Sequence, residues 1–170
     1  ESVEIGLRRQ QIHGLQIRET DAQQPWLTVD QLDCDLALTD VVGGRFASAK
    51  MVLEGLQLHV LLNEVGHVVS PQFKGSKGHG IPFSHLRVND AAVHVRLPDG
   101  ANLSVAAIDA RLYQTATGVF AQGRCRESPL GEVNLISNFH VAARQLQSLV
   151  DIEPYQFDSN DIPEFLLHFF

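Results

Sequence analysis

Apolar and polar residues alternate with a period of two along most of the chain. In LDCDLAL, Leu32, Cys34, Leu36 and Leu38 fall on one side, with Asp33, Asp35 and Ala37 on the other. In GLQLHVLL, Leu56, Leu58, Val60 and Leu62 alternate with Gln57 and His59. Successive side chains of a strand point to opposite faces, so this pattern predicts half-buried antiparallel strands. The stretch WLTVDQLDCDLAL, residues 26–38, can be set above NLSVAAIDARLYQ, residues 102–114. Leu27, Val29, Leu32, Asp33 and Leu36 then meet Leu103, Val105, Ile108, Asp109 and Leu112, 76 residues on. The apolar parity slips at the same place in both, between Val29 and Leu32 and between Val105 and Ile108. A bulge or tight bend at Asp30–Gln31 and at Ala106–Ala107 accounts for the slip.

Turn residues punctuate the alternation. NEVG (63–66), LPDG (97–100) and SPLG (128–131) predict hairpin tips. TDVVGGRF (39–46) predicts a connection with room for one short helical turn. Polar, glycine-rich SPQFKGSKGHG (70–80) predicts a loop dividing the chain near its middle. VAARQLQSLV (141–150) fits either a strand or a short amphipathic helix. DSNDIPEFLLHFF places a polar cap cluster and Pro163 before an apolar run, which predicts the opening of a helix. The coarse map is about ten strands in two similar sets, residues 1–69 and 83–141. A loop at 70–82 separates them, and a mixed or helical C-terminal segment occupies 142–170. The expected fold class is mainly β: a long, curved antiparallel sheet forming a groove, its concave face apolar and its outer face polar, with few short helices.

Composition narrows the classes. Of 170 residues, 44% are hydrophobic and 19% charged, the balance of a folded chain rather than a disordered one. The formal charge of −7 and the lack of a basic run argue against nucleic acid as a partner. No apolar run in these 170 residues reaches the length of a transmembrane helix and none reads as a signal peptide, which leaves room for an anchor upstream in a parent protein. A chain opening on Glu1 and ending in LLHFF reads as a piece of something longer. The two cysteines, Cys34 and Cys125, form no CxxC pair. They read as buried small hydrophobes, or as a disulfide in an oxidising compartment.

The repeating phrases resemble the AsmA-like superfamily of bacterial envelope proteins, which includes TamB. QIRETDAQQPWLTVDQLDCDL and LRVNDAAVHVRLPDGANLSVAAIDARL both fit that family's recurring strand–turn–strand phrase. GGRFASAKMVLEGLQLHVLLNEVGHV fits its linking phrase, except that Glu54–Gly55 lacks the usual following proline or aspartate. The resemblance covers about residues 3–140 and rests on pattern rather than on invariant residues. It implies a periplasmic protein whose parent is anchored in the inner membrane of a Gram-negative bacterium. It also implies a stacked β-groove that shields phospholipid acyl chains on their way to the outer membrane. No catalytic residue, cofactor or metal is implied; envelope proteins are possible partners.

The lipid-lining candidates are the strand-face residues Leu32, Cys34, Leu36, Leu38, Leu56, Leu58, Val60, Leu62, Val93, Val95, Leu103, Val105, Ile108 and Leu112. The alternative is that they form the closed core of a sandwich in a structural or protein-interaction module. Other chemistry finds little support. None of the eight histidines has HxH or HExxH spacing, and His59 and His94 fall on the polar phase of their strands. Asp30, Asp33 and Asp35 lie along a strand, which spreads carboxylates rather than converging them on calcium. GSKGHG (75–80) lacks the GK[ST] ending of a phosphate loop, and no GxSxG elbow occurs. The expectation is a non-enzyme.

Overall fold

Most of the segments in which leucine, valine and isoleucine recur every second residue form strands. The computed structural model describes residues 2–6, 9–20, 24–42, 49–71, 83–140, 143 and 145–153. Its strands are β1 (Ser2–Ile5), β2 (Gln10–Ile17), β3 (Leu27–Asp35), β4 (Lys50–Glu54), β5 (Gln57–Leu62), β6 (Val68–Ser70), β7 (His85–Arg96), β8 (Asn102–Gln114), β9 (Gly118–Glu127), β10 (Val133–His140) and β11 (Gln145–Ile152). One five-residue helix, α1 (Leu38–Val42), occupies the connection in which a single turn is expected. No helix among the described residues is long and apolar enough to cross a membrane.

All eleven strands belong to one sheet, in the order β1-β2-β3-β4-β7-β8-β9-β10-β11, with β5 continuing the line of β4 between β3 and β7. The sheet is not wholly antiparallel. At its centre β4 and β5 run parallel to β7, each residue beside the one 35 positions later, from Lys50↔His85 to Leu61↔Arg96. Parallel neighbours need a long connection, and residues 63–84 supply it. All other ladders are antiparallel.

NEVG, LPDG and SPLG all close hairpins as expected. In each, the glycine N–H donates to the carbonyl three residues back: Gly66 to Asn63 at 2.9 Å, Gly100 to Leu97 at 3.0 Å and Gly131 to Ser128 at 3.0 Å. The stretch that reads as strand or helix resolves at residues 145–150 as strand, within β11. The helix expected after residue 157 and most of the glycine-rich loop lie outside the described residues.

The parity slip on β8 has a structural cause, whereas β3 keeps an unshifted register with β2, β4 and β5 through Asp30–Gln31, where a bulge is expected. The β7–β8 register shifts between Val88 and Ala91 and again between Ala91 and Val93. Two non-glycine residues there adopt positive φ, Asp90 at 51° and Ala107 at 52°. Gly14 (65°) on β2 and Gly55 (62°) in the break between β4 and β5 do the same. A row of kinks therefore crosses the sheet through β2, the β4–β5 junction, β7 and β8. An extra residue at a bulge reverses the in–out parity of the residues after it, so the aliphatic residues on both sides of the row stay on one face. Burial agrees: Val88 and Ala91, of opposite parity, are both buried, as are Val29 and Cys34.

The core is thin. Cys34, Leu36 and Ala49 cluster with Met51 and Phe83 at one end of the sheet, and Val29 is the largest side chain that is fully buried. Every pair of elements in more than marginal contact is a pair of hydrogen-bonded neighbours in the sheet. Among the described residues no second layer packs on either face. Cys34 on β3 and Cys125 on β9 are both free, and three strands stand between them. Four strand spacings amount to about 19 Å, far beyond disulfide reach, so the two cysteines do not pair with each other.

Candidate functional site

Pairing places most of the candidate residues on one face. Cys34 lies beside Met51, which lies beside Leu86, which lies beside Leu112. Leu32 lies between Ile12 and Leu53 in the next row of that face. Beyond the kinks, Leu27, Leu58, Val93 and Val105 form another row, and Val60, Val95 and Leu103 the next. Leu62 pairs with Val68 at the rim, and Ile108 pairs with Ala91 at the kink. The strand residues of this set are half-buried rather than sealed, apart from Cys34.

Three candidates do not sit on a strand. β3 ends at Asp35, and the Asp40 N–H bonds the Ala37 carbonyl at 2.9 Å, so the chain has already turned. Leu36, just past β3, is buried in the small core cluster rather than lining an open face. Leu38 opens α1. Leu56 lies in the break between β4 and β5, where Gly55 takes its positive φ.

The face also carries residues the sequence reading passed over. On β10 and β11, Leu135 pairs with Val150 and Phe139 with Leu146, on the same face as the inner aliphatics. These four are exposed, from 39% for Leu135 and Phe139 to 65% for Leu146. The period-two order of Val133, Leu135 and Phe139 was a usable signal, blurred by Ile136 on the opposite phase. Ser137 and Ser148 interrupt the strip and satisfy each other at 2.8 Å.

The opposite face is mostly polar, with Ile136 and Leu149 an exposed apolar pair on it. Asp33 accepts from Arg9 at 2.9 and 3.1 Å and from Gln31 at 2.8 Å, so it is engaged in an ion pair instead of standing with Asp30 and Asp35 as a cation site. His59 and His94 stack with ring centroids 4.8 Å apart. The two nitrogens of His94 contact Ser104 Oγ at 3.0 Å and Gln57 Oε1 at 3.1 Å. Partial burial, and then the neighbouring His94, lower the His59 pKa. On the aliphatic face, burial and then Asp35 raise that of Cys34, which keeps it a protonated, unreactive thiol. No group of three His, Cys, Asp or Glu among the described residues could hold a metal ion.

In comparisons with known proteins, no family model, no curated protein and no solved structure matches the chain at a significant level.

Proposed function

We propose that this chain is a non-enzymatic, lipid-handling segment of an AsmA-like envelope protein, in which the aliphatic face shelters phospholipid acyl chains. One observation carries the reading: an eleven-stranded sheet has a largely aliphatic face, and no described element packs over it. A lone sheet needs its apolar face covered. Burying a methylene there is worth about 0.8 kcal/mol, and a hydrocarbon tail supplies many without asking for a polar partner. The reading places the chain in the periplasm, with its parent anchored in the inner membrane and its cargo bound for the outer membrane. The groove shape is part of the proposal.

Native mass spectrometry of the chain purified from bacteria without detergent tests it. Co-purifying phospholipid, together with binding of an environment-sensitive dye that lipid displaces, is the expected result. A clean protein mass with no dye binding overturns it.

A second reading rests on the sheet edge. Among the described residues β11 has one unpaired side and exposes Leu146, Leu149 and Val150, with Asp151 as its sole charge. Edges without lysine, proline or bulges recruit other strands. A protein-interaction module would bind its partner there, and Ser148→Pro would abolish the complex while leaving lipid binding intact.

A further inference from the structure

We propose that the polar face of the sheet carries an oxyanion-binding site built on Arg87 and Arg111, selective for phosphate and phosphate esters. The two arginines are directly paired across β7 and β8, which sets their Cβ atoms about 5 Å apart. Like charges directly opposite each other destabilise a sheet. Both side chains are exposed, in a chain whose formal charge is −7. Carboxylates are plentiful, yet none of those described pairs with either arginine.

The nearby acids are committed elsewhere. Asp109 accepts the Asp90 N–H on Oδ1 at 3.1 Å and Arg126 on Oδ2 at 3.2 Å. Glu54 accepts from Asn89 Nδ2 at 2.5 Å. Glu132 holds Arg124, and that hydrogen bond keeps the Glu132 carboxyl below its usual range. Arg87 uses only Nε, donating to Asn89 Oδ1 at 2.8 Å, so its terminal nitrogens stay available.

The pair faces a depression of about 530 Å³. One side is the row Arg87, Arg111, Gln122 and Ile136; the other is Asn89, Asp109, Arg124 and Asn134. Three amides thus stand around two guanidiniums that have no counter-ion among the described residues. A guanidinium is a planar fork that grips two oxygens at once. Two side by side match the doubly charged, tetrahedral phosphate better than a carboxylate. The site lies on the face opposite the aliphatic one, so it stands whether or not acyl chains bind. Its phosphate can be a small soluble phosphate or a lipid headgroup.

The test is titration of the full chain with inorganic phosphate against chloride at matched ionic strength, read by the arginine Nε–Hε NMR signals and by the melting temperature. Saturable shifts at Arg87 and Arg111, with a phosphate-dependent rise in melting temperature, are expected. Arg87→Gln and Arg111→Gln should each weaken binding at least tenfold and the double variant abolish it, while Arg18→Gln leaves it unchanged. The variants relieve like-charge repulsion, so they should fold at least as stably as the parent without phosphate. Flotation with phosphatidylglycerol and phosphatidylcholine vesicles separates the sources. Arginine-dependent binding to the anionic vesicles, competed by phosphate, assigns a lipid headgroup; phosphate binding without vesicle binding assigns a soluble phosphate. No phosphate effect beyond chloride, or an undiminished effect in the double variant, overturns the site.

Discussion

Gly55 and Asp90 stand level with each other on neighbouring parallel strand lines, and both adopt positive φ, 62° and 51°. The Gly55 N–H donates to the Asn89 carbonyl at 3.1 Å, and the Ala92 N–H returns to Leu56 at 2.8 Å, so the two kinks are stitched together. Aspartate tolerates this region and glycine enters it freely, but Ala107, at 52° on the next strand, does neither. Ala107→Gly should therefore raise stability by about 0.5–1 kcal/mol. Gly55→Ala should lower it by about 1–2 kcal/mol, since the new methyl also stands 2.7 Å from Asp30 Cγ. Urea unfolding of the two variants checks the opposite signs; equal signs would mean the kinks are not strained.

Gly118 opens β9 opposite His140, the last residue of β10. A Cβ built there lies 2.8 Å from the Phe139 carbonyl carbon and 3.2 Å from the His140 Cα. Backbone cannot swing aside as a side-chain tip can. Gly118→Ala should cost about 1–3 kcal/mol, the range for overpacking. Proton exchange at the Phe139 and His140 amides should rise with the lower unfolding midpoint, and an unchanged midpoint would refute the contact.

Leu58 tests the orientation of the aliphatic face. It pairs with Leu27 and Val93 and points with Val60. Leu58→Asp should abolish co-purified lipid, whereas Gln147→Glu, exposed on the polar phase of β11, should leave it at the wild-type level. Circular dichroism separates lost binding from lost folding. Equal lipid loss in both variants would refute the assignment of faces.

His59 gives the fold a pH dependence. Its pKa lies below the usual 6.5 because partial burial, and then the nearby His94, disfavour its cation. The folded chain therefore binds fewer protons here than the unfolded chain. Stability is full above about 6.5 and declines as the pH falls below that value through the lowered one. The urea midpoint should drop between pH 7.5 and pH 5, and drop less in His59→Gln. An identical drop in the variant would show that other groups set the slope.

Much of the architecture was legible in local sequence. The period-two aliphatics mark β3, β5, β7 and β8. The slip at Val105–Ile108 marks the kink at Ala107, and the glycines at 66, 100 and 131 mark hairpin tips. Leu36 and Leu38 misled because alternation runs on past Asp35 although the chain turns there. Residues 145–150 fitted two periods at once, and pairing with β10 decided for strand.

By itself the sequence determined where strands form, where they kink and which phase is aliphatic. Those properties depend on neighbours within a few residues, through backbone sterics and the burial of alternate side chains. Only the tertiary structure decided that β4 and β5 lie parallel to β7, that four strand spacings part Cys34 from Cys125, and that Arg87 faces Arg111. Each is a matter of register between distant segments, where many pairings would satisfy the same alternation and only the whole ladder selects one.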